Sequence, residues 1–162
     1  MLIMENKKIL DACCGSRMFW FNKENPDVIF ADIRSENHTL CDGRKLVIDP
    51  DIEMDFRNMP FDDESFKLVV FDPPHLKNLG QGSWMAKKYG VLSPKWKDDI
   101  KVGFKECFRV LEPNGVLIFK WNENQIKVSE VLNLCEVSPL FGHKSGRNSN
   151  THWISFMKPN KI

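Results

Sequence analysis

Asp72-Pro73-Pro74-His75 is the segment richest in chemistry, and it follows directly on the apolar run Phe66-Lys67-Leu68-Val69-Val70-Phe71. Two consecutive prolines fix the backbone and offer no N–H. What remains is a rigid pair of acceptors, the Asp72 carboxylate and the Pro73 carbonyl. Such a pair can hold an –NH2 group by accepting both of its hydrogens, which turns the nitrogen lone pair toward an electrophile. Pro74 would frame the bound molecule. His75 offers a flat ring that stacks on a base, or a proton acceptor for another kind of substrate. The plainer alternative is a proline turn that Asp72 caps.

Three further places carry candidate chemistry. Asp11-Ala12-Cys13-Cys14-Gly15-Ser16-Arg17 follows the short apolar run Ile9-Leu10, and Gly15 would let the backbone turn sharply toward a ligand. An ordinary turn would use the same residues. Asp32 ends the run Val28-Ile29-Phe30-Ala31, 21 residues after Asp11. An acid at about that spacing hydrogen-bonds ribose hydroxyls in nucleotide-binding folds. Asp55-Phe56 pairs a carboxylate that accepts from an exocyclic amine with a ring that flanks a flat group; a surface acid beside a core Phe would look the same.

These residues need elements to hold them. Ile9-Leu10, Val28 to Ala31, Glu53 to Phe56, Phe66 to Phe71, Val116 to Phe119 and Thr151 to Met157 read as strands. The near-continuous apolar character of 66–71 suits a parallel strand covered on both faces. Asp42-Gly43 between Thr39-Leu40-Cys41 and Lys45-Leu46-Val47-Ile48 predicts a tight hairpin. Ser16 to Lys23 predicts a short helix stopped by Asn25-Pro26-Asp27. Ser93-Pro94 predicts a helix start, with Trp96, Ile100, Phe104, Cys107, Phe108 and Leu111 on one face. A weaker helix is expected over Val128 to Cys135. The long polar segment from Asp72 to Pro94 predicts a functional lid or, alternatively, an element that the pattern hides. Alternating strand and helix imply an α/β doubly wound sheet with ligands bound beyond the strands' carboxyl ends. Every candidate named so far falls at such an end.

Together these motifs resemble those of class I S-adenosylmethionine-dependent methyltransferases over nearly the whole chain, 1–162, read as one domain. Asp11 to Gly15 resembles the family's first motif, with the usual glycines reduced to Gly15. Asp32 matches the ribose-binding acid and Asp55-Phe56 the pair at the cofactor adenine. Met59 to Phe66 resembles the Pro-Phe stretch before the fourth strand, and Val110 to Gly115 the turn before the fifth. Asp72-Pro73-Pro74-His75 resembles the Asp-Pro-Pro-aromatic motif of amino-group methyltransferases acting on nucleobases, with His in the aromatic place. The chain is also similar to short phage- and Firmicutes-type methyltransferases. The resemblance implies a Rossmann-like, mostly parallel seven-strand sheet with an antiparallel last strand. It implies S-adenosylmethionine as cofactor and S-adenosylhomocysteine as product, held by Asp11, Cys13, Gly15, Asp32, Asp55, Phe56 and Asp72. Transfer to an exocyclic amine, most simply of a nucleic-acid base or nucleotide, would use Asp72, Pro73 and His75. A small-molecule N- or O-methyltransferase and a non-catalytic binding module are the competing readings.

The acceptor would meet a basic segment. Leu76 to Lys105 holds seven lysines against Asp98 and Asp99, with Trp84, Tyr89 and Trp96 interleaved. Positive charge beside aromatic platforms suits a nucleic acid or phosphorylated molecule. Pro74, Trp84, Lys87, Lys88, Tyr89, Lys120, His143, Arg147 and His152 are the candidate acceptor contacts. The net charge of +1 argues against a nucleic-acid-binding surface over the whole molecule but leaves room for a local patch. Sequence-selective DNA binding would call for a homodimer or a partner. Five cysteines without C-x-x-C spacing predict reduced thiols and no metal site. The absence of a signal-like start and of any apolar run near ~20 residues predicts a cytoplasmic chain without a membrane span.

Overall fold

The computed structural model describes residues 6–80 and 82–160, so the Met1–Glu5 part of the start read for a targeting signal lies outside it. The chain runs β1 (Ile9–Asp11), β2 (Val28–Asp32), β3 (Glu36–Thr39), β4 (Lys45–Ile48), β5 (Ile52–Glu53), β6 (Phe66–Phe71), α1 (Trp84–Tyr89), α2 (Trp96–Val110), β7 (Leu111–Asn122), α3 (Val128–Leu132) and β8 (Thr151–Met157). Among the described residues the main sheet has six strands in the order β5-β2-β1-β6-β7-β8. All neighbours are parallel except β7 and β8. The antiparallel last strand is as expected, and the strand count is corrected from seven. The place of a seventh strand is reduced to a lone bridge, Phe141 to Ser155, on the outer edge of β8. The polar stretch from Gly142 to Asn150 has no alternating apolar residues to extend that bridge into a strand.

Register sorts the side chains onto two faces. Leu10, Ile29, Val69, Leu117 and Phe156 stand opposite one another and face α2. There Phe71, Phe104, Phe119 and Phe156 form a run of ring contacts with centroids 4.9–5.9 Å apart. Phe30, Asp11, Val70, Ile118 and Ser155 occupy the other face. The helix expected over Ser16 to Lys23 to cover that face is a chain of turns instead. Gly15 and Arg17 both take positive φ, +49° and +57°, which breaks helical continuity at its first residues. Trp20 packs edge-on against Phe30 from these turns.

Other bounds shift for local reasons. Ser93 forms a turn ahead of the helix: its Oγ accepts from Lys95 N and donates to Asp99, and α2 starts at Trp96. The hairpin β3–β4 closes through the five residues Leu40 to Arg44, not a two-residue turn, and stands apart from the main sheet. The third sheet strand covers Ile52–Glu53, just ahead of Asp55-Phe56. The turn Glu112 to Gly115 is absorbed into β7, and α3 is shorter than expected. The polar segment 72–94 contains α1. Among the described residues, no helix is long and apolar enough to cross a membrane.

Candidate active site

A cavity of about 250 Å³ opens where β1, β2, β5 and β6 end. Its walls include Cys13 to Ser16, Asp32, Ile33, Arg34, Met54 to Arg57, Asp72 to His75, and Lys88 and Tyr89. Gly15, Asp32, Asp55, Phe56 and Asp72, far apart in the chain, therefore share one chamber.

Asp32 is nearly closed off at 5% exposure. Its Oδ2 accepts from Gly15 N at 2.8 Å, which pins the first loop to the end of β2, and its Oδ1 accepts from Arg34 N at 2.9 Å. Arg34 Nε also donates to Oδ1, at 3.4 Å; a carboxylate has about four lone-pair sites, so one remains for a hydroxyl donor. The far end of the Arg34 guanidinium donates to the Lys87 carbonyl at 2.7 Å, on the last turn of α1. Asp55 is held in a fork by Arg57, which lowers its pKa, and Arg57 also reaches Asp99 on α2. Phe56 packs against Phe71 because α2 comes close at Gly103: a Cβ there would sit 2.7 Å from both rings.

Asp11 departs from expectation. It is fully buried, and its carboxylate accepts from Trp20 Nε1 at 2.7 Å and from Cys13 N at 3.3 Å. It braces the first loop from behind and does not line the cavity. Burial, with Asp72 and Asp32 nearby, raises its pKa to about 7 despite the indole bond.

Beyond Asp72 the first cavity adjoins a smaller one of about 120 Å³, lined by Asp72, His75, Leu76, Met85, Tyr89, Lys120, Asn122, Asn124 and Thr151. The Lys120 ammonium donates to Asp72 Oδ2 at 3.1 Å and lies 5.3 and 5.5 Å from the Phe19 and Trp153 ring centroids. Burial raises the Asp72 pKa and Lys120 pulls it back. Asp72 Oδ1 and the Pro73 carbonyl receive no hydrogen bond from any described residue. His75 lies 5.4 Å from the Tyr89 ring, and burial followed by the Lys120 charge lowers its pKa to about 4. Its ring is therefore held in the neutral form and is a weaker proton acceptor than a free imidazole.

The acceptor candidates divide. Pro74, Lys88 and Tyr89 line the first cavity, and Tyr89 and Lys120 the second. Trp84 is half exposed and stacks under Lys88 at the rim; Lys87 contributes its backbone carbonyl to Arg34. His143 and Arg147 lie on an exposed loop and line neither cavity, because Lys144 and Asn150 tie that loop to Glu123 and Asn124. His152 faces away, buried beside Trp121, with Nε2 3.2 Å from Glu123 Oε1 in poor geometry for a hydrogen bond. Of the seven lysines, Lys97 and Lys105 pair with Glu130 and Glu136, so the positive charge is spread around α2, not massed at the cavity mouth.

The residues that sequence reasoning missed are Arg34, Arg57 and Trp20. Arg34 and Arg57 each follow a site acid by two residues, and that spacing was the available signal.

No protein-family model matches the chain, and no curated protein matches it. Solved structures do. A protein from Pyrococcus horikoshii aligns at 15% identity over 93% of this chain and 82% of its own, with a TM-score of 0.59. A TehB-like SAM-dependent methyltransferase from Corynebacterium glutamicum aligns at 16% over 95% and 81%, TM-score 0.57. The N-methyltransferase NodS from Bradyrhizobium japonicum aligns at 12% over 98% and 92%, TM-score 0.54. The chain has the Rossmann-like fold of SAM-dependent methyltransferases.

Proposed function

We propose that the protein is an S-adenosylmethionine-dependent methyltransferase that acts on an amine. The observation that carries this reading is the shared chamber: Asp32 and Gly15 at one end, Asp72 and Pro73 at the other, on neighbouring strand ends. The donor set fits the cofactor. Asp32 keeps a lone pair for a ribose hydroxyl, Ile33 and Phe56 flank a flat base, and the Cys13–Gly15 loop meets the amino-acid end. The cofactor supplies a methyl group already activated on a sulfonium, so the chain's own work is position. The structural neighbours include a SAM-dependent methyltransferase and an N-methyltransferase, which supports the same reading.

Asp72 Oδ1 and the Pro73 carbonyl accept from the amine and aim its lone pair down the chamber. The carboxylate then takes the proton that the amine loses on methylation. His75 and Tyr89 form a flat aromatic wall beside that point. A planar nucleobase amine suits this wall, with Trp84 and Lys87 at the rim for neighbouring nucleotides.

The test is calorimetry followed by labelled-methyl transfer into separated nucleic acid, protein and metabolite fractions. Binding of S-adenosylmethionine is expected, and Asp32→Ala should weaken it by ~1–3 kcal/mol, the range for a lost polar partner. Unchanged affinity in that variant removes the ribose contact; label only in protein removes the nucleobase.

A further inference from the structure

We infer that Lys120 selects the methyl acceptor, admitting an uncharged amine conjugated to a neighbouring hydrogen-bond acceptor atom and rejecting an alkylammonium ion. This rests on the amine-methyltransferase reading above and adds a residue role to it.

Three observations converge. The first is position: Lys120 Nζ lies 3.1 Å from Asp72 Oδ2 and leaves Oδ1 unpaired. The second is restraint. Phe19 and Trp153 stand edge to face at 5.1 Å, and both rings lie within 5.5 Å of the ammonium, so the charge is held in place on the wall of the smaller cavity. The third is surplus. An ammonium has three N–H donors, and one goes to Asp72.

Asp72 lines both cavities, so a molecule that gives its –NH2 to Oδ1 and the Pro73 carbonyl in the larger one meets the Lys120 donor where it reaches into the smaller. The complement is an –NH2 next to an atom with a lone pair, as in an amino-substituted heterocycle. An alkylamine at pH 7 is a cation with no lone pair to methylate, and it would have to sit against the fixed Lys120 charge. Deprotonating that cation would need a stronger base than the site offers, since burial depresses the His75 pKa and the Lys120 charge lowers that of Asp72.

Lys120 also opposes everything that would neutralise Asp72. Burial and the Asp32 carboxylate favour the protonated acid, Asp11 lies close by, and His75 carries no charge. Without Lys120, Asp72 protonates more readily, and a protonated oxygen no longer accepts from the amine.

The experiment compares wild type, Lys120→Met and Lys120→Arg on short single-stranded DNA and RNA containing adenine and cytosine, on free adenosine and cytidine, and on spermidine as the alkylamine. Methyl transfer is expected into the heterocyclic amines and not into spermidine. Lys120→Met should raise KM for the heterocyclic acceptor by ~10-fold or more, the scale of a lost hydrogen bond to a charged group. It should lose activity, as pH falls, at a higher pH than wild type. Lys120→Arg should recover most of both, while cofactor affinity stays within a few-fold in either variant. Transfer to spermidine by the wild type overturns the inference. So does a Lys120→Met enzyme with unchanged KM and pH profile, or a cofactor-loaded protein that methylates none of the heterocyclic probes. Failure to bind S-adenosylmethionine at all would instead bring down the underlying function, and this inference with it.

Discussion

On one face of the sheet, Phe71, Phe119 and Phe156 lie under a 15-residue helix and belong to one buried apolar cluster. On the other face, Asp11, Asp72 and Lys120 lie under turns, and Trp153 and Met157 are 43% exposed. The first face was legible as a helix with an apolar stripe, and its contribution to stability is apolar burial. The second obtains its cover from single aromatic side chains, and the same loosely roofed surface holds the chain's buried charges. Shielding there is sufficient to move pKa values but does not close the face. The fold therefore separates its jobs by face: α2 stabilises, and the turn-covered side carries the candidate chemistry.

The largest expected effect breaks the stabilising side. Phe104→Ala removes a ring at the centre of the aromatic stack and should cost ~3–5 kcal/mol in chemical denaturation. Trp20→Ala, on the turn side, should cost clearly less, and equal losses would refute the division by face. Next is Asp72→Ala, which should reduce methyl transfer ~10²-fold or more, since misplacing a reactant costs that much. Its cofactor affinity should stay within a few-fold, and denaturation curves would show whether the loss is chemical and not a loss of fold.

The smallest effect sharpens the comparison through pH. The Asp11 pKa is raised from 3.8 to about 7 by burial, so between those values the folded chain binds more protons than the unfolded chain. Stability contributed at this site is accordingly lost as pH rises from about 4 to about 7. Denaturation midpoints for wild type and Asp11→Asn, measured across that window, should show the wild type falling more steeply. Parallel curves would mean that Asp11 does not titrate in the fold.

What could be read from residues alone follows the same division. Phe66 to Phe71 and the stripe from Trp96 to Phe108 declare themselves by period, and Asp32, Asp55 and Asp72 by standing at strand ends. Ser16 to Lys23 misled, because Met18, Phe19 and Phe21 imitate a helical stripe while the positive φ at Arg17 has no mark in the composition. Asp11 carried the right residue type in the right motif, but its partner Trp20 is reached only by the folding of those turns. His152, His143 and Arg147 were named for their chemistry, and nothing local shows that one points into the core and the others into solvent. Asp72 and Lys120 meet across 48 positions, a pairing that needs the β6–β7 register before it can be seen.

Arg34 joins two parts of the molecule that otherwise lie far apart in sequence. Its backbone and guanidinium contact Asp32 at one end and the Lys87 carbonyl at the other. A ligand at the Asp32 carboxylate and a ligand against α1 thus draw on one shared set of hydrogen bonds. Where sharing of this kind changes the affinity of one, it changes that of the other by the same factor and in the same direction, because the thermodynamic cycle must close. The guanidinium makes the Asp32 end of the chamber and α1 a single balance, so occupancy at one is felt as affinity at the other.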